Sequence, residues 1–150
     1  MFNKTAIKNF VRTFLEKSDL RFMELSDTFI LHISIADEPG LTVFINCKEL
    51  HYSIITKIDV SVPEEARNSV MKYLTCANYG MSLGNFEFDQ SDGEIHFRVT
   101  CDMFDELPSE EDFALAFLAG RTIFSRYSDG LMEVINGADP IETCKRIKGE

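Results

Sequence analysis

The chain has 150 residues, 45% of them hydrophobic and 27% charged, and its 15 basic and 25 acidic residues leave a net charge of −10. That length suits a single domain over 1–150, able to bury about 70% of its unfolded surface. No apolar run approaches the ~20 residues of a membrane helix, and the acidic balance opposes nucleic acid and anionic lipid, which need a basic stripe.

From residue 4 to 17, Ile7, Phe10, Val11, Phe14 and Leu15 recur at helical spacing, with Lys8, Arg12, Glu16 and Lys17 opposite. The pattern predicts an amphipathic helix ending near Ser18-Asp19. A short apolar piece, Leu20 to Leu25, leads into a three-stranded meander. Its first strand, Phe29 to Ile35, turns Phe29, Leu31, Ile33 and Ile35 to one face. Asp37-Glu38-Pro39-Gly40 is turn chemistry, with Gly40 free to take a positive φ. The second strand buries Leu41, Val43, Ile45 and Cys47, and the third, over 51–58 after a turn near Lys48-Glu49-Leu50, buries Tyr52, Ile54 and Ile58.

Ser61-Val62-Pro63-Glu64 reads as a capping box opening a helix that buries Ala66, Val70, Leu74 and Ala77 and ends at Gly80. A hairpin follows, Asn85–Asp89 and Glu94–Cys101 about a turn at Gln90 to Gly93. Phe86, Phe88, Ile95, Phe97, Val99 and Cys101 point inward from it. After Pro108-Ser109 a long helix carries the stripe Phe113, Phe117, Gly120, Phe124, Tyr127, Leu131 and Val134. Gly120 permits a close approach to another element, and Gly130 is a place for a kink or break. Asn136-Gly137 stops this helix and Asp139-Pro140-Ile141-Glu142 caps a short last one. The order is α-β-β-β-α-β-β-α. It predicts a two-layer α+β fold, an antiparallel sheet of about five strands with its helices mainly on one face.

Strand parity gives the other face to Thr, Ser, His, Asn, Lys and Glu, broken by Ile30, Phe44 and Ile55. Short turns would set Phe44 opposite His32 and Ser53 and Ile55 beside Thr42. The three apolar residues are the candidate partner-binding site, for a second subunit or a client segment. Scattered surface residues, or a patch covered by the last helix, are the alternatives.

Chemistry-bearing residues do not assemble into a catalytic or metal motif. His32, His51 and His96 share the polar face with Glu87, but no pair has the fixed local spacing of a metal site. Asp89-Gln90-Ser91-Asp92-Gly93-Glu94 lacks the alternating acids of a calcium loop. Asp102, Asp105, Glu106, Glu110, Glu111 and Asp112 form a solvated rim rather than a desolvated acid pair. Ser125 and Ser128 have no histidine nearby, and there is no nucleophile elbow or phosphate loop. Cys47, Cys76, Cys101 and Cys144 are widely spaced, which favours buried free thiols. Lys145-Arg146-Ile147-Lys148 suits the last turn of a helix. The N-terminus has no signal-peptide core, so the expected location is the cytoplasm. No catalytic residue, metal or cofactor is expected.

Val62-Pro63-Glu64-Glu65-Ala66-Arg67, Asn78, Gly84-Asn85-Phe86-Glu87-Phe88-Asp89 and Asp92-Gly93-Glu94-Ile95-His96-Phe97-Arg98 resemble the YbjN-like family of small bacterial proteins. That family shares the type III secretion chaperone-like fold. The resemblance implies a non-enzymatic, cytoplasmic protein-binding module, a regulator or a chaperone, with a protein partner or client and a possible homodimer. Secretion chaperones are typically small, acidic and dimeric. The alternative class is a small-molecule or metal-binding sensor domain, with a hydrolase behind it.

Overall fold

The structure, a computed structural model, describes residues 3–34 and 39–150. Helix α1 (Lys4–Lys17) buries Ile7, Val11 and Leu15, and the Asn3 side chain caps it by accepting from the Ala6 N–H. Four strands follow: β1 (Met23–Leu25), β2 (Thr28–Ile33), β3 (Leu41–Cys47) and β4 (His51–Ser61). A 3-10 turn over Glu64–Ala66 leads into α2 (Arg67–Asn78), then the hairpin β5 (Asn85–Asp89) and β6 (Glu94–Asp102). The long helix α3 (Glu110–Ile135) and the short α4 (Pro140–Lys148) complete the chain. The strands form one antiparallel sheet of six, ordered β1-β2-β3-β4-β6-β5.

The α+β class and the apolar face of the sheet are as the alternation predicts. Phe29, Leu31, Leu41, Val43, Ile45, Cys47, Tyr52, Ile54, Ile58, Ile95, Phe97 and Val99 are all buried. They meet α1 and α3 through an aromatic core. Phe113 lies edge-on to Phe10 and Phe14, and Phe86 touches Phe97, Phe124 and Tyr127. The whole stripe from Phe113 to Val134 is buried.

Several expectations change. The piece before Thr28 is an extra edge strand, so the sheet has six strands, not about five. Its pattern is hidden because Glu24, the inward residue of β1, is held by Arg12 of α1. Ser61 does not cap a helix. It ends β4, and its hydroxyl donates to the Asp92 carbonyl at 2.8 Å. The helix behind it begins without a side-chain cap. Arg67 reaches back instead to the carbonyls of Val62, Gln90 and Ser91 and ties the β5–β6 turn to the helix start. Gly130 breaks nothing: α3 runs through it, and the missing side chain makes room for Ile147, Thr143 and the Tyr73 hydroxyl. Gly40 does not adopt a positive φ. The predicted end of the first strand at Ile35, and Asp37-Glu38 of the turn, lie outside the described residues.

Candidate functional site

The helices pack on the face that carries Phe29, Tyr52, Thr56 and Phe86, as the contacts of Arg12, Phe113, Gly120 and Phe124 record. The opposite face keeps access to solvent. His32, Asp59, Glu87 and Thr100 are exposed there, and Ile30, Phe44, Ile55, Lys57, His96 and Arg98 are half-buried.

Register decides how this face is organised. Met23 pairs with Ile30, Ile30 with Phe44, Phe44 with Ile55 and Ile55 with Arg98. The three predicted residues are therefore direct cross-strand neighbours on adjacent strands about 4.8 Å apart. They form one apolar row, and Met23 extends it to the sheet edge. Phe44 does not lie opposite His32 and Ser53, nor Ile55 beside Thr42. His32 pairs with Thr42 and Ser53 with Asn46, while Thr42 pairs with Lys57. Both meander registers differ by two residues from the short-turn expectation.

A polar row flanks the apolar one on each side. On one side Thr28 donates to the Asn46 side chain at 2.8 Å, and the Ser53 and Thr100 hydroxyls meet at 3.2 Å. On the other, Thr42 bonds His32 and Asp59, each at 3.2 Å. There Glu94 bridges Lys57 at 2.6 Å and His96 at 3.1 Å, and Glu87 is held at 2.6 Å by Arg98, which ends the apolar row beside Ile55. Lys57 above all holds the Glu94 carboxyl below its ordinary range. These polar groups satisfy one another, so the apolar row between them is the part of the face with contact energy left to give.

Sequence reasoning missed two members of this surface. Met23 and Leu25 are 56% and 57% exposed and share the face by parity with Ile30 and Thr28. The signal was present as Met23-Glu24-Leu25 alternation before Ser26-Asp27, with Ser26 at a turn φ of 55°. The histidines do not converge. His32 and His96 share a row but stand three strands apart, roughly 14 Å, and His51 lies at the far end of β4 opposite Asp102. Among the described residues no group of three His, Cys, Asp or Glu side chains is placed to hold a metal ion. Among them too, no helix is long and apolar enough to cross a membrane. Cys47 and Cys144 are buried free thiols, whereas Cys76 and Cys101 are only half-buried.

The family model of YbjN, described as "Putative bacterial sensory transduction regulator", matches residues 9–133, which takes in the whole sheet. This chain belongs to the YbjN family. No curated protein matches its sequence. Among solved structures, YbjN from E. coli, described as "a putative transcription regulator", superposes with a TM-score of 0.54 at 13% identity, over 92% of this chain and 91% of the other. An uncharacterized protein from Methanothermobacter thermautotrophicus gives 0.51 at 14% identity, over 87% and 96%. A chain of the heterodimeric ExoU-SpcU complex from the Pseudomonas aeruginosa type III secretion system gives 0.42 at 15%, over 85% and 97%.

The residues that carry the YbjN resemblance build the scaffold rather than the apolar row. Arg67 clamps a turn, and Asn78 makes two hydrogen bonds to the Phe86 backbone. Gly84 and Gly93 have φ of 76° and 80°, and each is pressed against a neighbouring backbone carbonyl, of Arg98 and Val62 respectively.

Proposed function

We propose that this YbjN-family chain is a non-enzymatic protein-binding module, regulatory or chaperone-like, that receives its partner on the outer face of the sheet. One observation carries the reading: Met23, Ile30, Phe44 and Ile55 stand side by side in register on a face the helices leave open. Phe44 is the central side chain and the anchor, since a half-buried aromatic loses little entropy on docking and buries a large area. The flanking polar rows form a rim that excludes water around it. The family's description as a regulator of sensory transduction fits a protein whose output is a contact.

The test is the double change Phe44→Ser with Ile55→Ser, compared with wild type by capture from the native cell with mass spectrometry, and by thermal unfolding. The expected result is loss of the captured partner with the cooperative transition retained. Capture unchanged by the double variant overturns the proposal. So does a collapse of stability in a monomeric protein, because the row would then be core.

A further inference from the structure

A second apolar surface lies on the other layer, along the outer flank of α3. Leu115 and Leu118 are 65% and 44% exposed. Beside them runs a groove of about 640 Å³ floored by Ala77, Leu83, Ala119 and Ile123. Arg126 and Lys148 line the same groove. In a chain of net charge −10 these two cations are notable for their partners. Lys148 donates to the carbonyls of Cys76 and Tyr79, and Arg126 donates to that of Ile147. Among the described residues neither has a carboxylate within 4.0 Å. Glu150 lines the groove as well, and Arg126 and Lys148 lie over the Tyr127 and Tyr79 rings. An apolar groove edged by two cations that make no close ion pair suits an apolar side chain flanked by acids.

The same chain displays such a group. Phe104 is 86% exposed in the segment Asp102-Met103-Phe104-Asp105-Glu106, whose three acids are also exposed. Its outward aim is built in. The preceding residue, Met103, is buried and its N–H donates to the Leu50 carbonyl at 2.8 Å, while Asp105 takes a φ of 61°. The anchored backbone on either side fixes where the exposed ring stands, so it offers a positioned aromatic knob rather than a loose one. A trough beside Phe104 shares Leu83 and Leu115 with the groove. Knob and groove therefore sit next to each other on one surface.

We infer that this surface is a self-complementary dimer contact in which Phe104 of each copy enters the apolar groove of the other. Two adjacent, complementary patches are exchanged by a two-fold axis between them, which is the condition for an isologous, closed dimer. The acids around Phe104 then face the partner's Arg126 and Lys148. Phe104 and Leu115 both become buried at the contact.

Sedimentation equilibrium of the full chain tests this. Wild type is expected to be a dimer whose dissociation constant rises with salt, because the flanking pairs are screened. Phe104→Ser, at a position too exposed to affect folding, should raise that constant about tenfold or more. Leu118→Glu should do the same. An equimolar mixture of the two variants should recover part of the association, because one intact knob then meets one intact groove. A wild-type monomer at the highest soluble concentration overturns the inference. A dimer that tolerates Phe104→Ser but is lost with Phe44→Ser overturns it too, and moves the contact to the sheet face.

Discussion

Gly120 of α3 lies directly on Thr56 of β4, so closely that a side-chain carbon added at the glycine would overlap both the hydroxyl and the Cβ of the threonine. Thr56 is 1% exposed and belongs to the sheet interior between Val43 and Phe97. Alanine at this position in a free helix would be favourable by about 1 kcal/mol. Here the overlap is with a β-branched side chain on a sheet strand, which cannot swing aside. Gly120→Ala should therefore destabilise by about 1–3 kcal/mol, read as a lower denaturant midpoint with an unchanged slope. A stabilised variant would show that the helix can lift off the sheet freely.

Phe117 fixes the same helix by a different means. It is 4% exposed, stacked on Phe113 and edge-on to Phe14. Phe117→Ala should cost roughly 3–5 kcal/mol through lost transfer energy and the cavity left behind. Tyr73→Phe should cost less, about 0.5–1.5 kcal/mol. It removes only the 2.7 Å bond from the Tyr73 hydroxyl to the Tyr127 carbonyl and leaves the ring in place. Paired urea unfolding curves give the ranking, and reversal of the two would contradict the packing described.

The parity of β2 to β6 was legible, and the pairing register of the meander was not. Leu41, Val43, Ile45 and Cys47 alternate without exception, so the buried face of β3 can be read from four letters. The pairing depends on turn length, which hydrophobic alternation does not report. Cys47 pairs with Tyr52, a wider turn than expected, and the shift of two residues keeps every side chain on its face while changing its neighbour. Ile30, Phe44 and Ile55 were thus visible as outward residues but not as a row. Strand β1 was hidden for a related reason: its single inward residue is charged and finds its partner on another element. Phe104 was hidden because exposure of one side chain in a connector leaves no periodic trace.

Burial sets the ionisation of the thiols and phenols. It pushes Cys47 up to about 11 and Cys144 to about 12, from an ordinary 9.0, and it raises Tyr52, Tyr73 and Tyr127 as well. Above pH 9 the unfolded chain releases thiol protons that the folded chain keeps. The native state then binds more protons, so stability must fall as pH rises. For Cys47 the loss runs from about pH 9 to about 11. Urea midpoints measured across that window should decline, and Cys47→Ala should flatten part of the slope. At neutral pH, alkylation of Cys47 and Cys144 should lag behind that of the half-buried Cys76 and Cys101. Rapid modification of all four would contradict the burial.

Asn78, at the last turn of α2, does the work of a strand partner for the edge of the sheet. Its amide nitrogen donates to the Phe86 carbonyl at 3.1 Å, and its oxygen accepts from the Phe86 N–H at 2.7 Å. Strand β5 has β6 on one side only, so the Phe86 backbone groups that face away from β6 would otherwise need water. Asn78 spares them that while Phe86 itself is 6% exposed, in contact with Phe97, Phe124 and Tyr127. The side chain must both donate and accept. Asn78→Asp keeps the acceptor and sets a carboxylate against a carbonyl, whereas Asn78→Ala removes both bonds. Each should destabilise, by about 1–3 kcal/mol for a part-buried pair left unsatisfied. Hydrogen exchange separates this role from a general loss of stability. The Phe86 amide should exchange much faster in Asn78→Ala, while the amides of β3 change only by the global loss. If the Phe86 amide stays as protected as those of the central strands, the strand edge is held by β6 alone and the role assigned to Asn78 is wrong.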